Sequence, residues 1–402
     1  MESLAERVRE QSVMAGFISR FQDQFSLQGQ KAILRAGISP EVAVSYTGFS
    51  SDEVIRLVEG GIPADLAQKY ALPGVTSGDI VCFAETGLSP ETIAAYKEQS
   101  LCTSGIIELA YSGILPDDKR LLAYARDGRV GSAHYPNFVL RNIPLSWYTW
   151  KTFHYERVPR AEKLMAAFVR EHLSPTLQQR LKEKCNLTAF ERYSCRLLKE
   201  VSRNLNPRYQ SEKPVAVVLS GKHDPDEAFI AGTLQAYMAI ANRYKLFLGE
   251  AETREEAFHL LQKFGSHHGT TRSGKPRKPI ELLLLSGHGN RVALNLGATP
   301  YDDRITKSQL LRYQKHRKSY LSVLDGEQFR SLRPYVQGTV ILDSCETGEG
   351  GKDAENLATC LFEALQLKKV YAPMHEFQFL VIDDKLEPHF NCGKARTLVL
   401  ER

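Results

Sequence analysis

A histidine and a cysteine each follow an apolar run of the kind that forms a buried strand. His288 stands two positions after Ile280–Ser286 (IELLLLS), and Cys345 stands three positions after Gly338–Leu342 (GTVIL). A thiol can attack a carbonyl and an imidazole can move the proton, which is the pair that acyl transfer through a thioester needs. Glycines on both sides of the histidine, including Gly289, allow backbone N–H groups to approach a substrate carbonyl closely.

Neither residue would be a strong signal alone, because a single cysteine after a strand is usually a small buried apolar residue. The two residues together are a stronger signal, because both follow predicted strands of the same domain. From residue 212 onward, short apolar runs alternate with segments of helical spacing, which predicts a mostly parallel sheet covered by helices. In such sheets ligands bind beyond the carboxyl ends of the strands. We therefore expect His288 and Cys345 to lie at one edge of one sheet.

The predicted strands and helices of this C-terminal part can be stated with bounds. The strands are Pro214–Ser220, Tyr244–Leu248, Ile280–Ser286, Gly338–Leu342, Val370–Ala372 and Arg396–Leu400. The helices between them are Asp226–Asn242, Glu252–Phe264 and Asp353–Leu367.

The order of strand, His-Gly, strand and Asp-x-Cys resembles the caspase-like cysteine peptidases, a group that includes caspases, metacaspases, gingipains, separases and CHAT-type peptidases. The resemblance covers residues 212–402. It departs from the caspase signature around the cysteine, where Asp343, Ser344 and Glu346 stand here. An aspartate two residues before the cysteine is similar to metacaspases and CHAT-type enzymes.

The resemblance implies a role for each site residue. Cys345 would be the nucleophile and His288 the general acid, with the backbone N–H groups of Gly289 and Cys345 as the oxyanion hole. Asp343 would line an acidic pocket for a basic side chain, so that cleavage follows Arg or Lys. Asp224 and Asp226 are the candidates for a second acid in that pocket.

Two alternatives stay open for the acidic pocket. Asp224 or Asp226 can instead cap the helix that follows. A preference for aspartate would need a basic pocket, for which Lys222 is the candidate.

Residues 37–130 contain a short repeat. Gly48, Gly61, Gly74, Gly87 and Gly113 share one phase of 13 residues, with Ser100 in the same phase. Each glycine suits the end of a helix, and the residues that follow it suit a helix start of about two turns. The start is marked by capping serines, first-turn prolines and acids, namely Ser39, Ser50, Ser89, Pro40, Pro90, Glu41, Asp52 and Glu91. Helices this short must stack, so we expect an array of helical repeats that recruits a partner or regulates access.

Charge is spread unevenly along the chain. Of the 52 Lys and Arg and the 47 Asp and Glu, residues 1–130 hold 12 and 17, which leaves 40 and 30 for residues 131–402. Residues 141–213 hold 15 basic and 7 acidic side chains, which admits a nucleic-acid or membrane-surface binder as an alternative. Helical spacing of the apolar residues there favours solvated helix faces, and we expect no nucleic-acid partner.

Seven widely spaced cysteines, an odd number without any CxxC pair, argue against a disulfide framework and a tetrahedral zinc site. They fit a reducing compartment, and the first residues do not resemble a secretory signal. No stretch is apolar for long enough to span a membrane.

The adjacent pair His267 and His268 does not suffice for a metal site. We therefore expect a cytoplasmic protein without a metal or other cofactor, with export by a non-classical route and the calcium requirement left open.

These observations combine into one expectation. The fold is α plus α/β: a helical segment 1–36, repeats 37–130, a basic helical connector 131–211 and a three-layer α/β/α peptidase-like domain 212–402. The function is a cysteine endopeptidase that acts on proteins or peptides. The alternative is an inactive caspase-like scaffold.

Overall fold

A computed structural model describes residues 18–127, 135–153, 161–206, 208–209, 211–222, 233–297, 302, 304–377, 380–390 and 397–402. The fold is mixed α/β with a mainly parallel central sheet, as predicted at that level. The chain divides into two compact units, one that runs to Ala95 and one from Tyr96 to the last strand. Among the described helices, none is both long and apolar enough to cross a membrane.

The first unit consists of short helices separated by residues with left-handed backbone. The helices are Leu27–Arg35, Pro40–Ser45, Ser51–Glu59, Ala64–Tyr70 and Ser77–Thr86, and Pro90–Lys97 crosses into the second unit. The predicted serine caps are confirmed: the side chains of Ser39, Ser50 and Ser89 each accept from a backbone N–H three residues later. Gly37, Gly48, Gly61, Gly74 and Gly87 all have φ between +69° and +85°, a range that favours glycine.

A tyrosine at or near the end of every second helix in this series donates a hydrogen bond to a backbone carbonyl 16 to 19 residues later in the chain. Tyr46 donates to the carbonyl of Ile62 at 2.6 Å, and Tyr70 donates to the carbonyl of Leu88 at 2.7 Å. In the second unit Tyr96 donates to Ile114 and Tyr124 to Ile143 in the same way. Each bond satisfies a carbonyl close to the start of a later helix, which a residue without a hydroxyl would leave unpaired.

The second unit begins with further helices, Thr103–Tyr111, Lys119–Asp127, Tyr135–Leu140, Leu145–Phe153, Ala161–His172, Pro175–Cys185 and Cys195–Asn204. Ser100 and Asn142 take the left-handed conformation that glycine takes elsewhere, with φ of +59° and +55°. Asparagine tolerates this region better than most residues do.

Eleven strands lie in the described residues. They are β1 (Val215–Gly221), β2 (Lys245–Ala251), β3 (Ile280–Ser286), β4 (Gly289–Asn290), β5 (Ala293–Asn295), β6 (Tyr320–Ser322), β7 (Val336–Asp343), β8 (Lys369–Pro373), β9 (Leu380–Ile382), β10 (Pro388–Phe390) and β11 (Thr397–Glu401). All six predicted strands are present: Ile280–Ser286 has the predicted bounds, and the ends of the other five differ by one to three residues.

The central sheet has the order β11-β8-β7-β3-β1-β2. Its first five strands in chain order run parallel, and β11 pairs antiparallel with β8. Every residue of β1 and β2 is buried, which fits the apolar composition of β1, whereas β2 also buries Lys245 and Glu250. Helices Leu234–Arg243, Arg254–Gly265 and Leu357–Leu365 pack against its strands.

Two small sheets flank the candidate site and were not predicted. β4, β5 and β6 form one, and β9 and β10 form an antiparallel hairpin. Strands of two or three residues are too short for a periodic pattern, so their apolar residues carry no signal in the sequence.

Glu250 of β2 joins the central sheet to the segment before it. Its fully buried carboxylate accepts from the N–H and hydroxyl of Thr188, from the N–H of Ala189 and from the hydroxyl of Tyr193. Arg192 of the same segment donates to the carbonyl of Gly221 at 2.7 Å. A buried carboxylate is stable here because several donors replace its water.

Candidate functional site

The central sheet brings His288 and Cys345 to neighbouring strand ends. β3 and β7 pair in parallel, and Ser286 lies opposite Asp343 at the last position of their register. His288 and Cys345 each follow two residues later, beyond the carboxyl ends of adjacent strands. The prediction that both lie at one edge of one sheet is therefore confirmed.

The backbone between the two strand ends is packed closely. The N–H of Gly287 donates to the carbonyl of Asp343 at 3.1 Å, which extends the pairing past the end of β3. A Cβ atom on Gly289 would lie 2.0 Å from the Ser344 hydroxyl oxygen. Only glycine fits at position 289, and the tight approach fixes the chain on both sides of the half-buried His288.

The turn after Cys345 is held by its own hydrogen bonds. Glu346 has a left-handed backbone, with φ of +56°, which a non-glycine residue adopts only when its surroundings impose it. The hydroxyl of Thr347 donates to the carbonyl of Ser344 at 2.9 Å, and the N–H of Gly348 donates to Pro373 of β8 at 2.9 Å.

The thiol of Cys345 is half-buried and bonded to the protein backbone. Its Sγ donates to the carbonyl oxygen of Phe377 at 3.8 Å. Burial raises the pKa of this thiol above its ordinary value, and the charges of Asp343, Glu376 and Glu346 act in the same direction, against a hydrogen bond with the backbone of Phe377. At neutral pH the described site therefore holds a thiol rather than a thiolate.

Asp343 lies below the surface of the site. Its side chain is 1% exposed, and Ser286 donates to its Oδ2 at 2.6 Å. Its negative charge also raises the pKa of the buried Tyr237, after burial itself. The carboxylate thus sits two residues before the thiol, behind the exposed part of the strand end.

The remaining predicted pocket residues are distributed differently. Asp224 and Asp226 lie outside the described residues. Lys222 follows β1 at the same edge of the sheet, and its ammonium group pairs with Glu252 at 2.9 Å. The candidate cation for an aspartate-directed pocket therefore has a carboxylate of the same chain beside it, in a partly exposed pair.

Four residues close to the site were given no role from the sequence. Ser286 donates to Asp343, Ser344 lies next to Gly289, Phe377 accepts from the Cys345 thiol, and the charge of Glu376 acts on that thiol. A polar residue at the end of the apolar run IELLLLS was a usable signal for Ser286. Phe377 has no such signal, because it lies 32 residues beyond the cysteine in a segment without periodicity.

The described residues contain no group of three or more His, Cys, Asp or Glu side chains that could hold a metal ion. His267 and His268 lie side by side, with ring centroids 5.5 Å apart. Burial lowers the pKa of His267 to about 4, and the neighbouring charge of Lys245 adds to this effect.

The six cysteines that the structure describes are all free thiols, and Cys392 lies outside the described residues.

Comparison of the chain with family models, with curated proteins and with solved structures gives no match. The resemblance to caspase-like peptidases rests on the residues at the two strand ends.

Proposed function

We propose that the protein is a cysteine endopeptidase that uses His288 and Cys345. One observation carries the proposal: both residues stand two positions beyond Ser286 and Asp343, which are register partners in neighbouring parallel strands. This position is where α/β sheets bind and convert ligands. A thiol and an imidazole at adjacent strand ends, each beside closely packed backbone, are suited to acyl transfer.

The reaction proceeds in two halves. Cys345 Sγ attacks the carbonyl carbon of the scissile bond, and its proton passes to His288. The N–H groups of Gly289 and Cys345 donate to the oxyanion that forms. The intermediate collapses to a thioester as the amine leaves with the proton from His288. Water then attacks the thioester, which releases the carboxylic acid and restores the thiol.

The finer architecture belongs to the same proposal. Residues 212–402 form a caspase-like three-layer domain, and residues 37–130 form an array of helical repeats that binds a partner or regulates access. The recurrent tyrosine-to-carbonyl bonds support a repeating arrangement of helices. No cofactor is part of the proposed reaction.

Cleavage after Arg or Lys is the proposed preference. Asp343 supports it, because the charge of this buried carboxylate, two residues before the nucleophile, favours a basic side chain bound at the strand end. Asp224 and Asp226 are proposed as further acids of this pocket. The ion pair of Lys222 with Glu252 supports this preference over an aspartate-directed pocket, because the candidate cation of such a pocket already has a carboxylate beside it.

Fluorogenic peptides that end in Arg, Lys or Asp test the proposal directly. We expect hydrolysis of the Arg and Lys peptides by the wild-type protein and its loss in Cys345→Ala and His288→Ala. Cys360→Ala is the matched control, since Cys360 is also a half-buried thiol bonded to a backbone carbonyl. Wild-type hydrolysis no faster than that of Cys345→Ala would leave the inactive scaffold as the better description.

A further inference from the structure

The segment that covers Cys345 continues into the small hairpin. Phe377, whose carbonyl accepts from the thiol, packs its ring against Phe390 of β10 with centroids 5.0 Å apart. The segment begins where β8 ends, and the carbonyl of His375 accepts from the N–H of Glu346 at 3.4 Å. Residues 374–377 and 380–390, which we name the strap, therefore touch the cysteine at one end.

The strap is anchored from outside by a buried glutamine. Gln235 of helix Leu234–Arg243 donates from Nε2 to the carbonyl of Ile382 at 2.9 Å and accepts from the N–H of Ile382 at 2.9 Å. The glutamine is 3% exposed. The side-chain amide thus makes the two backbone hydrogen bonds that a neighbouring strand would otherwise make with Ile382. Because these two hydrogen bonds are buried, breaking them costs free energy.

The other strand of the hairpin meets a helix from the region before the sheet. His389 of β10 donates from Nε2 to the carboxylate of Asp383 at 3.1 Å, and its ring lies 6.0 Å from the ring of Tyr111. Tyr111 ends helix Thr103–Tyr111, which also contacts β9. The strap therefore connects Cys345 with a helix that no part of the proposed reaction uses.

We propose that the strap is an autoinhibitory element that slows, without abolishing, substrate access to Cys345 while the hairpin stays bound to Gln235 and helix Thr103–Tyr111. The proposal rests on the proposed function, in which Cys345 is the nucleophile. The thiol must give up its hydrogen bond to the Phe377 carbonyl before its proton can pass to a base.

Alkylation of the full chain by iodoacetamide, followed peptide by peptide with mass spectrometry, measures the covering directly. Gln235→Glu places an oxygen against the Ile382 carbonyl, and Phe390→Ala removes the ring that holds Phe377. We expect either change to raise the rate at Cys345 by about tenfold, which corresponds to about 1.4 kcal/mol. The rates at Cys102 and Cys360 are expected to stay the same. Gln178→Glu is the matched control, because Gln178 also bonds backbone carbonyls, far from the strap in sequence.

Two results would overturn the proposal: equal Cys345 rates in all four proteins, or parallel increases at Cys345, Cys102 and Cys360 that report general unfolding. The peptide assay separates this proposal from the peptidase. Faster alkylation of Cys345 without hydrolysis of any peptide by any strap variant supports the strap as a cover of Cys345, and it removes both the peptidase and the autoinhibitory role. Peptide hydrolysis at equal rates in wild type and strap variants, with equal alkylation, supports the peptidase and removes the strap.

Discussion

Ser286 and Asp343 face each other at the last register position of β3 and β7, and the serine hydroxyl donates to the buried carboxylate at 2.6 Å. This bond joins the two strand ends that carry His288 and Cys345. It also orients the carboxylate that the proposed function assigns to substrate binding. The strand ends and the proposed pocket therefore depend on the same contact.

Replacement of Ser286 by alanine removes a donor to a buried carboxylate. We expect the free energy of unfolding to fall by about 2 kcal/mol, the range found for hydrogen bonds to charged groups. If the protein hydrolyses Arg peptides, the KM for them should rise as well. Urea denaturation measures the first effect and peptide kinetics the second. Ser331→Ala, at an exposed serine bonded only to a local carbonyl, should change neither. Unchanged stability of Ser286→Ala would contradict the structural role of the bond.

A methyl group at position 289 should disrupt the site. Its Cβ would lie 2.0 Å from the Ser344 hydroxyl and 3.0 Å from the carbonyl of Ala293. We expect Gly289→Ala to lower the midpoint of urea unfolding by several tenths molar or more, because overpacking of this kind typically costs about 1–3 kcal/mol.

The double variant Gly289→Ala with Ser344→Ala should recover part of that loss, since it removes the closest atom. Gly326→Ala is the control, because nothing lies within 4 Å of a Cβ built there. Equal losses in the single and double variants would mean that Ser344 does not limit the space at Gly289.

The placement of His288 and Cys345 at one edge of the sheet was predictable, because it depends on short stretches of sequence next to each residue. The runs IELLLLS and GTVIL are apolar enough to be buried strands, and the carboxyl-end rule then brings the residues after them together. The strap was not predictable, because Phe377 and Gln235 act through tertiary contacts that leave no period in the sequence. The tyrosine bonds were predictable in part. Tyr46, Tyr70 and Tyr96 recur about every two 13-residue units, but this longer spacing is less obvious in the sequence than the 13-residue spacing of the glycines.

Glu250 should be among the residues on which stability depends most. Glu250→Gln replaces one acceptor oxygen by a donor that faces the N–H groups of Thr188 and Ala189 or the hydroxyl of Tyr193. We expect a loss of about 2–4 kcal/mol in the free energy of unfolding, because a buried donor is left facing another donor.

Glu252→Gln is the matched control on the same strand end. Its half-exposed pair with Lys222 should contribute only about 0–1 kcal/mol. Similar losses for both variants, measured by urea denaturation, would refute the assignment of Glu250 as the link between β2 and residues 187–193.

His267 should make the protein less stable in mild acid. Its ring packs on Phe247 with centroids 4.8 Å apart, and burial followed by the charge of Lys245 lowers its pKa to about 4 from 6.5. Below pH 6.5 the unfolded chain binds a proton that the folded protein takes up only near pH 4. The free energy of unfolding must therefore fall as the pH drops through this interval, by on the order of 2 kcal/mol.

His267→Gln should flatten that part of the stability profile between pH 7 and pH 4.5, whereas His259→Gln, at an exposed histidine, should keep the wild-type slope. A slope in His267→Gln equal to that of the wild type would show that the imidazole takes up its proton equally in the folded and unfolded states.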